Sequence, residues 1–341
     1  MGNKNFLLEN VGAYVCLNGE IIEAQRYADE TPDGDYWTGD IVYEVIRVIS
    51  GVPMFFEDYC ARLNESLARL NIDAEIGMFS FLQPIASLLR ANNTYDCNIK
   101  LWAASGSPGI INLFLNINKS FYPPPEYYRD GAPAGLYAYT RENPNVKQVV
   151  QGYKEQVQAL IESGGVFELL LYDNTNHLTE GSRSNLFFSR GNQLFTAPDR
   201  IILKGTVRKY VFLAAQRAGV EIVERPVSLK EIGLSPGSLD RRRAHGKADA
   251  DRFKTEVKNL RQQRSKKTII FPTPGPWPGS EPEPALPVMT VNGAFLTGTS
   301  IGVLPISRIG GVKLNSAKDR IIRRIMAEYD KITRDYINSR K

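Results

Sequence analysis

Two apolar runs, Phe167 to Tyr172 and Leu186-Phe187-Phe188, fix what the middle of this 341-residue chain can become. Each is too short for a helix and bounded by turn formers, so both read as strands. Asp173-Asn174-Thr175-Asn176 turns the chain after the first run, and small residues around Glu180-Gly181-Ser182 lead into the second. Glycine and serine let backbone come close to a ligand while one carboxylate, Glu180, points at it. The same turn also serves as an ordinary hairpin, so the rest of the chain must decide between a site and a bend.

The remainder reads as two blocks. In the first, Asn18-Gly19 joins Tyr14–Leu17 to Glu20–Ala24, the residue pair that a tight hairpin favours. The stretch 41–49 alternates and is rich in β-branched residues, and Gly51 turns it back toward Pro53. Leu63, Leu67 and Leu70 give 58–70 the spacing of a helix. A second helix is expected over 79–92, with strands over 98–102 and 110–117. Such a mixture makes this block α+β. Pro123-Pro124-Pro125 marks a linker within 119–131. Beyond it we expect a strand over 135–140 and a helix over 148–163, stopped by Gly164-Gly165. The strands around Glu180 follow, then a helix over 206–218, strands over 221–227 and 293–297, and an amphipathic helix over 316–338. The domains expected are 1–120 and 134–341, joined by a linker at 121–133.

One stretch breaks the pattern. Residues 233–289 hold 11 Lys/Arg against 6 Asp/Glu, and this surplus equals the +5 of the whole chain. The folded body is therefore neutral, and the basicity carries no aromatic interleaving, so no nucleic-acid partner is expected. Seven prolines stand between Pro272 and Pro287. Charge, proline and low hydrophobicity predict a disordered or poorly packed insertion in the second domain. It reads as a genuine extension, a basic arm or translated intervening sequence.

Three scattered cysteines argue against a disulfide framework and for a reducing, cytoplasmic setting. Two histidines leave little for a histidine metal site or a Ser-His-Asp triad, and no metal is expected. No apolar run reaches the roughly 20 residues of a membrane helix, and no signal peptide is expected.

Five segments then stand in order: Glu57-Asp58-Tyr59-Cys60-Ala61-Arg62-Leu63, Lys147, the Glu180 turn, Ile202-Leu203-Lys204-Gly205-Thr206-Val207-Arg208, and Leu296-Thr297-Gly298-Thr299-Ser300. Together they resemble the class IV aminotransferases, the pyridoxal-phosphate enzymes of fold type IV. That family includes branched-chain aminotransferases, D-amino-acid aminotransferases and aminodeoxychorismate lyases. The resemblance covers about 10–232 and 290–337. It implies a two-domain α+β fold, with a small first domain and a larger, barrel-like second one. It also implies pyridoxal 5′-phosphate (PLP) in the crevice between them, and a homodimer.

The resemblance assigns roles that chemistry can support. Lys147 is the Schiff-base lysine, since an aldehyde needs a partly neutral amine and burial lowers a lysine's pKa. Lys154 is the rival. Glu180 bonds the pyridine nitrogen and keeps it protonated. Arg62 grips the phosphate with a two-pronged guanidinium, although Tyr59 stands where the family has a histidine. Thr206 and Val207 open a helix whose free amides suit an anion, and Thr299 is a third phosphate donor. Leu203 packs under the ring. Tyr43, Lys100 and Ser300 face the substrate. Tyr153 is a candidate for the ring oxygen, off the usual spacing. Ala104-Ser105-Gly106 replaces the Thr-Arg-Gly of the D-specific enzymes, and Gly302-Val303 resembles the lyase branch. The activity implied is transamination of an amino acid to its 2-oxo acid, with a branched-chain-like donor preferred. The alternatives are an aminodeoxychorismate lyase and a non-catalytic, insertion-disrupted relative.

Overall fold

The computed structural model describes residues 9–30, 41–72, 76–77, 79–105, 111–141, 144–147, 152–234 and 291–340. The insertion expected at 233–289 lies, from 235 on, outside the described residues, as do 148–151 of an expected helix.

The first sheet has six strands: β1 (Tyr14–Leu17), β2 (Glu20–Glu23), β3 (Ile41–Ile49), β4 (Val52–Pro53), β5 (Cys97–Ser105) and β6 (Ile111–Asn118). Their spatial order is β2-β1-β6-β5-β3-β4. Asn18 and Gly19 turn β1 into β2 with φ of 50° and 94°, a left-handed pair that asparagine and glycine tolerate best. Helix α1 (Ala24–Glu30) follows β2 directly, where the sequence suggested strand to Ala24. Along β3 the buried face carries Val42, Glu44, Ile46 and Val48. Helices α2 (Phe56–Arg69) and α3 (Phe79–Ala91) supply Leu63, Leu67, Ile85 and Leu88 to the same core.

The expected linker contains a short helix, α4 (Pro125–Asp130). Proline lacks an N–H and has its φ preset, so it fits a first turn as readily as a linker. The second sheet comprises β7 (Ala132–Ala138), β8 (Glu168–Tyr172), β9 (His177–Gly181), β10 (Asn185–Arg190), β11 (Gln193–Thr196), β12 (Glu221–Glu224), β13 (Val227–Ser228), β14 (Gly293–Gly298), β15 (Gly302–Ile309) and β16 (Val312–Lys313). Its main path runs β12-β11-β10-β14-β15-β7-β8-β9-β13, and it makes the half-barrel of the second unit. The single strand expected over 221–227 is two, because Pro226 has no N–H for a ladder and the chain passes from β11 to β9 there.

Helices α5 (Tyr153–Gly164), α6 (Thr206–Arg217) and α7 (Arg320–Asn338) complete the fold. The last begins later than the expected 316. Asp319 is extended and caps the helix, its side chain accepting from the amides of Ile321 and Ile322. Phe55 joins the units: it holds φ 51° at the start of α2 and stacks on Tyr210 of α6 at 3.5 Å. The Phe56 amide donates to the Tyr336 hydroxyl of α7, 3.1 Å away. Helix α2, which carries Tyr59 and Arg62, is thereby fixed to both α6 and α7.

Candidate active site

Glu44 occupies a core position of β3, and a charge there needs partners. Arg62 on α2 provides them, with Nε 2.7 Å from Oε1 and Nη2 on Oε2. Burial lowers the Arg62 guanidinium and Glu44 outweighs it, leaving the group above its ordinary value. Lys147 Nζ lies 3.5 Å from the same Oε2. The Tyr43 amide donates to the Lys147 carbonyl at 3.2 Å, so the lysine backbone is pinned to β3. Burial pulls Lys147 down to about 8; Glu44 works against that shift, and Arg62 and Lys100 add to it. An amine in this state is half neutral near pH 8, which supplies the free base that nucleophilic attack requires.

Glu180, on β9, is buried. Arg141 Nε donates to its Oε1 at 2.6 Å and the Leu203 amide to its Oε2 at 3.3 Å. Burial lifts the Glu180 carboxyl above the usual range, against the pull of Arg141 and that amide. One loop serves both carboxylate groups. The Leu203 amide meets Glu180, while the Lys204 carbonyl accepts from Arg62 Nη1 at 2.8 Å. Asn185 Nδ2 holds the Leu203 carbonyl at 2.8 Å. Only glycine fits at 205, because a Cβ there would stand 2.0 Å from Asn185 Oδ1. Lys147 and Glu180 are thus the ends of one connected chain of contacts. Tyr43 borders both ends: Lys147 Nζ is 5.4 Å from its ring. Burial raises the Tyr43 hydroxyl and the charge of Arg141 opposes this.

A hydroxyl cluster forms the third part. Tyr59 Oη and Thr299 Oγ1 are 2.8 Å apart. Burial pushes the Tyr59 phenol up to about 12, while Arg62, Thr299 and Thr206 favour its ionised form. Helix α6 starts beside them at Thr206 with no side chain capping its amides. Val207, Tyr59, Thr299 and Ser300 also line a cavity of about 410 Å³.

Ser300, Lys100, Tyr153 and Arg208 each have partners within the chain. Ser300 Oγ accepts from Asn98 Nδ2 at 2.6 Å. Lys100 is ion-paired with Glu9 at 2.7 Å. The Tyr153 hydroxyl donates to the Ser182 carbonyl at 3.3 Å. Arg208 is committed elsewhere, to Asp199, Glu224 and Thr196. Sequence reasoning missed Glu44 and Arg141. Glu44 left a signal, an acid in phase with Val42, Ile46 and Val48; Arg141 left none, since only the fold brings it to Glu180.

The Arg62–Glu44 pair gives a stability prediction. Arg62→Met leaves the buried Glu44 carboxylate with the 3.5 Å contact to Lys147 as its remaining ion pair and lowers stability by about 3–5 kcal/mol. Arg62→Met with Glu44→Leu recovers most of that loss. Urea denaturation of the three proteins checks it, and equal stabilities for the single and double variants would refute it.

The description "Amino-transferase class IV" fits residues 41–235 of this chain. A Methanocaldococcus jannaschii protein named as a candidate branched-chain amino acid aminotransferase is 29% identical over 235 residues, 64% of this chain and 80% of its own. The D-alanine aminotransferase of Bacillus licheniformis is 24% identical over 242 residues, again 64% of this chain and 80% of its own. Among solved structures, the PLP form of the Thermobaculum terrenum branched-chain aminotransferase superposes with a TM-score of 0.67 at 20% identity, covering 96% of this chain and 95% of that one. The fold and the family match agree, and the chain belongs to the class IV aminotransferases, PLP-dependent enzymes that exchange amino groups between amino acids and 2-oxo acids.

Proposed function

We propose that this enzyme takes its amino group from a branched-chain or similarly hydrophobic amino acid, and that Lys147 forms the covalent bond to the PLP aldehyde. The observation that carries the reading is the continuous chain Lys147–Glu44–Arg62–loop 203–204–Glu180–Arg141. It groups a depressed amine, a phosphate-type cation and a buried acid around one loop.

The donor set fits the cofactor. Three of the five guanidinium N–H bonds of Arg62 are used within the chain, which leaves two for a phosphate. Thr206, Thr299 and the amides at Thr206 and Val207 complete an anion site at the uncapped start of α6. PLP supplies an aldehyde and a ring that withdraws electrons from the substrate Cα. Lys147 Nζ would be placed to take and return the proton of the substrate Cα. The Glu180 carboxylate would hydrogen-bond the ring nitrogen, and the burial that raises its pKa makes it a better acceptor for that nitrogen's proton. Arg141 orients that carboxylate. Leu203 and Tyr43 wall the ring, and Ser300 and Lys100 meet substrate carboxylates.

The donor preference rests on the archaeal relative's name and on Ala104-Ser105-Gly106 standing in place of the D-specific Thr-Arg-Gly. A homodimer, and the division into 1–120 and 134–341, belong to the same reading. An amino-donor screen with 2-oxoglutarate as acceptor tests it. Leucine, isoleucine or valine should exceed alanine in kcat/KM by at least about tenfold, the order that a few pocket methylenes supply. A D-alanine preference overturns the donor assignment, and pyruvate release from aminodeoxychorismate moves the enzyme to the lyases.

A further inference from the structure

Glu9 lies outside every motif, yet it touches two lysines. Its backbone is held against the end of β6: the Glu9 carbonyl accepts from the Lys119 amide, Asn10 bridges Asn118, and the Val11 amide donates to Ile117 at 3.0 Å. This edge pairing presents the Glu9 carboxylate to Lys100 Nζ at 2.7 Å through Oε2 and to Lys154 Nζ through Oε1. The two lysines differ in setting. The Lys100 side chain is 8% exposed and that of Lys154 59% exposed. Lys100 Nζ rests 3.9 Å from the Trp102 ring and 4.5 Å from the Tyr43 ring, whose other neighbour is Lys147. Glu9 therefore joins a buried lysine near Tyr43 and Lys147 to an exposed one.

A transaminase must accept two unlike side chains at one place: that of an apolar donor and that of a dicarboxylic acceptor. A lone buried cation repels the first, and a neutral wall fails the second. We infer that Glu9 is an internal stand-in for a substrate's distal carboxylate, covering Lys100 while an apolar donor is bound and yielding it when a dicarboxylic 2-oxo acid enters. Lys154 makes the exchange feasible, because Glu9 keeps an ion-pair partner after it leaves Lys100. Glu9 is then a specificity-determining residue. The inference rests on Lys100 being the cation that meets a substrate carboxylate. A site closed by its own side chain binds ligand in proportion to the fraction of time it is open.

The test uses the PLP-loaded enzyme, Glu9→Gln, Lys100→Gln and the double variant. Calorimetry with glutarate, an unreactive dicarboxylate, gives binding directly. Steady-state kinetics with leucine and 2-oxoglutarate give the two KM values. Glu9→Gln should tighten glutarate and lower the 2-oxoglutarate KM by about tenfold, as for a contact closed nine-tenths of the time. It should also raise the leucine KM, because Lys100 is left uncovered. Lys100→Gln should weaken glutarate, and Glu9→Gln should have no effect in that background. Two KM values that move together, or a Glu9→Gln effect that survives in Lys100→Gln, overturns the inference. If Lys100→Gln leaves glutarate binding unchanged, Lys100 is not the carboxylate partner, and both this inference and that part of the proposed function fall. If Lys100→Gln weakens glutarate while Glu9→Gln changes nothing, only the inference about Glu9 falls.

Discussion

Lys147→Ala removes transamination, lowering the single-turnover rate by about four orders of magnitude or more. One amine is asked both to bond an aldehyde and to move a proton, and proton transfer alone is worth about 10²–10⁴. The visible absorbance of the lysine-linked cofactor disappears with it. Lys154→Ala, by contrast, keeps the band, because its amine is paired with Glu9 and does not bond the aldehyde. Loss of the band in Lys154→Ala and its survival in Lys147→Ala would reverse the assignment. The environment of Lys147 adds a pH signature. PLP added to the cofactor-free protein should be captured at a rate that rises with pH, with a midpoint near the amine's pKa of about 8. Glu44 favours the charged amine, so Glu44→Gln moves that midpoint downward. Stability follows the same shift. Below pH 8 the amine is charged in both folded and unfolded chains, and the folded one bears the full burial penalty. Between about 8 and the ordinary lysine value of 10.5 only the unfolded chain keeps its proton, so stability rises with pH through that window. Lys147→Met should therefore stabilise the cofactor-free protein most below pH 8, and the gain should fade toward pH 10.5.

Glu180→Gln is the second large effect. The side chain keeps its shape but no longer offers a carboxylate to a protonated ring nitrogen. Loss of one such preorganised electrostatic partner lowers kcat by about 10²–10³. KM should stay within about twofold, because the substrate does not touch this residue. Arg141→Met should reduce kcat less, since the Leu203 amide still holds the other carboxylate oxygen. Full activity in Glu180→Gln, with Lys147→Ala inactive, would place the ring nitrogen elsewhere and leave the lysine assignment standing.

Much of the fold was legible because its strongest signals are local. Asn18-Gly19 specifies a left-handed turn by itself, and 41–49 announces its burial by alternation. Where an element differs from the expectation, the cause is local too. Pro125 reads as a linker residue and equally as the first residue of a helix. Asp319 sits inside an apolar periodicity, but its carboxylate is better used as a cap. In the proposed site, Lys147, Arg62, Glu180, Thr206 and Thr299 stand at spacings that resemble the family's, and contacts link Arg62 and Glu180 through the loop at 203–204. What sequence could not supply was the pairing. Glu44 neutralises Arg62 and steadies Lys147 from a distant strand, Arg141 reaches Glu180 across 39 positions, and Glu9 reaches Lys100 across 91. No periodicity encodes such contacts, because they arise only when the sheets close.

The shared use of Leu203 and Lys204 acts as a covalent ruler. The amide that steadies the acid and the carbonyl that steadies the phosphate-type arginine are separated by two residues of backbone, whose length is set by bonds and not by packing. Neither end of the proposed cofactor berth can drift without dragging the other. Lengthening this loop by a single residue would misalign both together, because the two contacts are made from adjacent residues of one backbone.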